Sequence, residues 1–229
     1  MRKSPSTVTI DCHVHTAASY DSSATVESVI QAALRAQLDG FVVTDHDRID
    51  AARRAAARAE AVGLIGIPGV EVSTADGHLL AIGVERQPAP GRSLATTVEA
   101  IRDDGGLAVI PHPFQWTRHG VRPTGVEDCD GIEVFNAHSL TGVRNRQAKW
   151  FADAHDYPQF GGSDAHRASV VGRGVTHVET NVQDPTPGDV MAAMRAGQTR
   201  PGGRSTPSWR YLGKLAENAR LRGTSIAPR

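Results

Sequence analysis

Six short apolar runs that each end in histidine, a carboxylate or asparagine constrain this chain more than any other feature. The first is VTIDCHVHT, residues 8 to 16. On a β-strand, side chains two apart share a face. Asp11, His13 and His15 are therefore expected to project together, with Cys12 and Val14 on the other side. Neutral imidazole is the commonest metal ligand, and paired histidines on a strand suit a metal better than solvent. FVVTDH then places Asp45 and His46 directly after a run, and GIPGVE does the same for Glu71. LAVIPHP places His112, GIEVFN places Glu133 and Asn136, and FGGSDAH places Asp164 and His166.

The runs alternate with helix-period stretches. Strands are expected at 8–12, 40–44, 64–72, 79–84, 107–110, 131–135, 159–162 and 175–180. Val26, Val29, Ile30, Ala33 and Leu34 follow the i, i+3, i+4 rule after a start near Thr25. Residues 51–62 and 93–104 read as helices that stop at Gly63 and Gly105, and Thr186-Pro187 opens another. Strands alternating with helices argue for an α/β fold with a parallel sheet or barrel. In such a barrel all strand C-termini lie on one face, where active sites are built, so the six ends would converge.

His78 stands at the start of its run, HLLAIGV, rather than at the end. The preceding VSTADG contains an Asp-Gly hairpin signal, and a hairpin would return His78 beside Glu71. Nine residues then qualify as metal ligands: His13, His15, Asp21, His46, Glu71, His78, His112, Asp164 and His166. That number exceeds the need of one ion and suits two or three. Imidazoles and carboxylates without thiolates favour Zn, Mn or Fe over Mg or Ca.

At 229 residues the chain suits one large domain. Residues 1–194 hold 17 basic and 24 acidic residues, whereas from Arg195 onward eight are basic and one is acidic. Residues 197–207 read as a Gly/Pro/Ser linker to a short basic helix, which divides the chain into a barrel domain, 1–196, and a tail, 197–229. Two cysteines make no disulfide framework, and neither a signal peptide nor a membrane span is legible. A cytoplasmic protein without membrane contact is expected.

Taken in order, DCHVHT, TDH, GVE, GHLLAIG, PHP and SDAH resemble the PHP (polymerase and histidinol phosphatase) family of metal-dependent phosphoesterases. The resemblance covers about residues 8–175. It implies a distorted (β/α)7 TIM-like barrel with up to three metals at the C-terminal ends of the strands. One metal would take His13, His15, Glu71 and Asp164. A second would share Glu71 and take His78 and His112, and a third would take Asp21, His46 and His166. The chain is short beside nucleotide-directed relatives that carry an inserted domain between the GHLL and HP motifs.

Within the set, Glu71, Asp164 and His166 are expected to be catalytic. Arg118, Arg144, Asn136 and His138 are expected to contact substrate, since guanidinium matches phosphate oxygens bidentately. Trp116, Arg118 and Arg122 share a loop that could cover the site, and Glu133 reads as a buried barrel residue. Cys12, Cys129, His155 and His177 read as structural, and His119 is left open. The function expected is phosphomonoester hydrolysis, on a nucleotide or an oligonucleotide end that the basic tail attracts. Histidinol-phosphate or sugar-phosphate hydrolysis is the nearest alternative. An amidohydrolase would need a lysine after a barrel strand, and Lys3, Lys149 and Lys214 are not so placed. A non-catalytic nucleic-acid module would have little reason to fill every ligand position.

Overall fold

The computed structural model describes residues 6–115, 118–122, 125–126, 128–139 and 141–205. Trp116 and the tail beyond residue 205 lie outside them. The order is β1 (Ser6–Val14), α1 (Val26–Arg35), β2 (Gly40–Val43), α2 (Asp50–Glu60), β3 (Ile65–Thr74), β4 (Gly77–Ile82) and α3 (Leu94–Asp103). There follow β5 (Leu107–Ile110), β6 (Gly131–Asn136), α4 (Val143–Ala154), β7 (Gln159–Gly162), β8 (Gly174–Thr180), α5 (Pro187–Arg195) and β9 (Thr199–Gly203).

The helices start where their capping chemistry says. Thr25 and Ser93 accept from backbone N–H groups of the first turns of α1 and α3. Thr186 and Asp189 form a reciprocal capping box that opens α5, with Pro187 in its first turn.

One sheet runs β7-β6-β5-β4-β3-β2-β1-β8-β9. Parallel pairing joins β1 to β2, β2 to β3, β5 to β6 and β6 to β7. The antiparallel partners β4 and β8 reverse direction. The sheet curls until its far end meets β1: Val14 bridges Ala165 just past β7, and the His15 N–H donates to the Ala165 carbonyl at 2.9 Å. Gly161 N–H donates to Thr176 Oγ1 at 2.9 Å across the same seam. The result is a nearly closed, distorted barrel of the TIM-like kind.

Ile10, Cys12, Val42, Ile67, Leu80, Ile82, Val109 and Phe160 form one core cluster, completed by Val190 and Met194 of α5. Because these α5 residues join Val8, Ile82 and Leu107, α5 plugs the end where β1 and β5 begin, leaving the opposite end for polar groups. A second cluster packs α1 and α2 on β1 and β2, and a third packs α3 and α4 on β4 to β6.

Two expectations are corrected here. Cys12 belongs to the cluster of Ile10, whereas Val14 belongs to that of α1 and α2. The register against β2 shifts between Asp11 and Val14, a bulge that changes which face each residue takes. Asp11 thus leaves the histidines and accepts the N–H groups of Ser163 and Gly172 at 2.9 and 2.8 Å. The second correction is β9, which occupies part of the expected linker. It pairs with β8 from Val178↔Thr199 to Gly174↔Gly203, so residues 199–203 of the expected linker belong to the sheet, and 196/197 lies in the turn between α5 and β9. As the last strand in the sheet order it tolerates Pro201, which a central strand would not.

Candidate metal centre

Glu71, in the second half of β3, is the hub. Its Oε2 lies 3.2 Å from His13 Nε2, 3.1 Å from His15 Nε2 and 3.5 Å from His46 Nδ1. Its Oε1 lies 2.8 Å from His78 Nδ1 and 3.0 Å from His112 Nε2. The β3–β4 hairpin delivers His78, pairing Ser73 with His78 and Thr74 with Gly77. Asp164, just past β7, sets Oδ1 3.4 Å from His166 Nδ1, 3.6 Å from His15 Nε2 and 3.8 Å from His13 Nε2. Asp21, from the loop after β1, reaches His166 Nε2 at 2.7 Å and His46 Nε2 at 3.8 Å. All nine ligand candidates therefore converge on one mouth of the barrel.

Hydrogen bonding behind the rings decides where their protons lie. Ser19 Oγ donates to Asp45 Oδ1 at 2.8 Å and accepts the His46 N–H at 3.0 Å. With that proton committed, His15 Nδ1, 3.2 Å from the same oxygen, must be the donor. His13 Nδ1 faces Glu133 Oε1 at 3.0 Å, and a carboxylate only accepts. In its neutral form each ring thus presents a bare Nε2, and these stand 3.1 Å apart beside Glu71 Oε2. Three lone pairs converge, an arrangement that a cation between them stabilises.

Further observations fit a metal. Asp164 Oδ1, Asp21 Oδ1, His46 Nδ1 and His112 Nδ1 are buried without a hydrogen-bond partner. Ligand atoms group within 4.8 Å of one another as His15, Asp21, His46 and His166; as His13, His15 and Glu71; as His13, His112 and Asp164; and as His46, Glu71 and His78. Atoms bonded to one ion at about 2.1 Å lie within about 4.2 Å of one another, so these groups are close to the spacing an ion requires. Asp164 and His112 hold φ of +52° and +31°, strained values for non-glycine residues that concentrate at functional sites.

The field is arranged to draw positive charge. Burial opposes ionisation of Asp164, yet Arg118, then His13 and His166, hold it well below the usual carboxylate range. Glu71 is likewise buried and held low, chiefly by His13. Burial also opposes charge on His13, but Asp164, Glu133 and Glu71 raise it well above an ordinary histidine, so the same carboxylates that draw a proton to Nε2 would draw a cation in its place. Burial and His166 push His15 down to about 4, leaving the neutral ring a metal needs.

The remaining site expectations divide. Asn136 Nδ2 donates to Asp164 Oδ2 at 3.0 Å and to Glu133 Oε2 at 2.8 Å. Arg118 pairs with the same Asp164 oxygen and donates to Asn136 Oδ1 at 3.3 Å. His138 Nδ1 lies 3.3 Å from the Asp164 carbonyl, and its ring meets His166 edge-on. Arg144 is not brought in: it is exposed and donates to Gln147 on its own helix at 2.7 Å. His155 caps α4 against the Phe151 carbonyl, and His177 bonds Thr9 across β1 and β8. Cys12 and Cys129 are buried, their thiols pushed up to about 12 by desolvation. Ser19 and Tyr20 were not legible as site residues, because TAASYDSS has no periodicity to place them. Glu133 is buried as expected, but its work is to orient His13, His112 and Asn136.

A nearly closed α/β barrel with a mouth of histidines and carboxylates defines the class of barrel proteins with a candidate metal centre at the strand ends. The chain belongs to the PHP domain family, whose sequence model matches residues 11–140, with a PHP-associated match at 142–199. An uncharacterized protein of Methanocaldococcus jannaschii is 27% identical over 149 residues, 60% of this chain and 87% of that protein. A two-domain Bacteroides vulgatus protein containing a predicted PHP-like metal-dependent phosphoesterase superposes with a TM-score of 0.70 at 19% identity. It is matched over 87% of this chain and 66% of its own. Endonuclease Q, solved with a 27-mer duplex bearing an abasic lesion, superposes at 0.60 with 15% identity, over 87% of this chain and 60% of its own. At such identities both structures speak to the fold alone.

Proposed function

We propose that this chain hydrolyses phosphomonoesters with two or three divalent transition-metal ions, Mn, Zn or Fe, held by the nine converging residues. The observation that carries the reading is the meeting of His13 Nε2, His15 Nε2 and Glu71 Oε2 within 3.2 Å of one another, while Glu133 and Ser19 hold the Nδ1 atoms of the two rings. Bound there, the ions supply Lewis-acid polarisation of a phosphoryl oxygen and acidify water toward a pKa of about 7.

The chain's own groups do the rest. Asp164 splits its oxygens: Oδ1 faces the histidines, while Asn136 and Arg118 fix Oδ2. Arg118 thereby holds a guanidinium beside the centre, placed to donate to phosphoryl oxygens. His138, against the Asp164 carbonyl, flanks the same space. A terminal phosphate, with nearly two negative charges near neutral pH, gains more from concentrated positive charge than a diester with one. The amidohydrolase reading finds no bridging lysine among the described residues: Lys149 lies on α4 paired with Asp153, and Glu71 supplies the shared carboxylate.

The rival is nucleic-acid cleavage, as the endonuclease Q likeness suggests. Ester hydrolysis by the Mn- and Zn-loaded protein, read as the alcohol, phenol or oligonucleotide fragment released, should be compared across phosphomonoesters, a bis-aryl phosphodiester and single-stranded oligonucleotides. Monoesters are expected to be the best substrates. Cleavage of circular single-stranded DNA as fast as nucleotide hydrolysis would contradict the reading.

A further inference from the structure

We infer that the groove beside the metal centre is a leaving-group subsite for a flat heteroaromatic ring, with Tyr20 as its specificity determinant. This rests on the phosphomonoesterase reading and names the substrate class within it as nucleoside monophosphates. The groove encloses about 770 Å³ between Tyr20 and the β3–β4 hairpin, with Ser73, Thr74, His78, His119 and Arg122 along it. Small-molecule sites have this size.

Its walls are rings. Tyr20 stacks on His46 at 5.1 Å, His46 meets His78 at 5.1 Å, and His119 stacks on His78 at 5.2 Å. The inner two rings belong to the ligand set, whereas Tyr20 and His119 do not. Tyr20 is 83% exposed, so with one ring face on His46 the other is offered to the groove and solvent. Its neighbours pin it: Ser19 is bonded to Asp45 and to the His46 N–H, and Asp21 reaches His166. A platform held in this way loses little freedom when a ring lands on it. Stacking tolerates any base, since every base has a π-face. The hydroxyls of Ser73 and Thr74 and the Arg122 guanidinium line the groove with polar groups that a sugar or a base edge requires.

The test compares a nucleoside 5′-monophosphate with ribose 5-phosphate, which share the ester and the leaving alkoxide and differ only in the base. Wild type should favour the nucleotide by about ten-fold or more in kcat/KM, the size of one base stack. Tyr20→Ala should collapse that ratio through a raised nucleotide KM, and Tyr20→Phe should preserve it. A disturbance passed through His46 would slow both substrates alike and leave the ratio intact. That outcome, or a wild-type ratio near one, overturns the subsite. If neither ester is hydrolysed, the phosphomonoesterase reading fails by itself, and calorimetric binding of free adenosine to the metal-loaded protein judges the groove. Binding weakened about five-fold or more by Tyr20→Ala upholds the subsite; absent or unaltered binding overturns it.

Discussion

The hydroxyl proton of Ser19 goes to Asp45, so the His15 Nδ1 that faces the same oxygen has to donate. Glu133 imposes the same tautomer on His13 from another strand. Two unrelated supports thus turn two Nε2 lone pairs toward Glu71. Groups behind metal ligands typically carry 10- to 100-fold in metal affinity. Glu133→Gln is therefore expected to weaken metal binding about 10-fold or more in a chelator competition while the fold persists, since an amide can place a donor where His13 needs an acceptor. Affinity equal to wild type would show Glu133 to be only a packed core residue. His13→Ala and Asp164→Ala should each cut turnover by orders of magnitude without unfolding the chain. Near-wild-type rates in either variant would misplace the site. His155→Ala should leave turnover and stability nearly unchanged, because the ring is exposed and meets only its own helix end and the rings of Phe151 and Tyr157, away from the site.

Among the elements, most strands were legible, because each is a short apolar run closed by a polar residue. The β3–β4 hairpin was legible too: Asp76-Gly77 marks the turn that returns His78 to Glu71. The bulge in β1 was not, since period-two alternation has no mark for one extra residue, and it removed Asp11 from the expected ligand face. Nor was β9, whose glycines and Pro201 carry the composition of a linker and become a strand only through β8. Crowding at the β7 end was equally silent in the sequence. A Cβ on Gly162 would lie 2.5 Å from His13 Cβ and 2.6 Å from Glu133 Oε1. Gly162→Ala is therefore expected to displace His13 and abolish most activity while far-ultraviolet circular dichroism stays native. A fully active Gly162→Ala would show that the seam between β1 and β7 yields more than this packing allows.

For the whole molecule, α5 closes one end of the barrel with Val190 and Met194, and the polar groups gather at the other. No helix among the described residues is long and apolar enough to cross a membrane. The basic tail past residue 205 lies outside the described residues, and its proposed attraction for oligonucleotide ends is testable by truncation. Removing 206–229 should raise KM for oligonucleotides at low salt and hardly alter a small monoester. An unchanged oligonucleotide KM would dismiss the tail as a binding element. Metal should also stabilise the chain: ions at 100 times their Kd contribute about 2.7 kcal/mol, so chelation should lower Tm by several degrees. The central claim is that nine side chains from separate elements form one multinuclear centre. Elemental analysis of the purified, metal-loaded protein measures this most directly. Two or three transition-metal ions per chain are expected, falling in Asp164→Ala; one ion or none in the wild type would contradict the account.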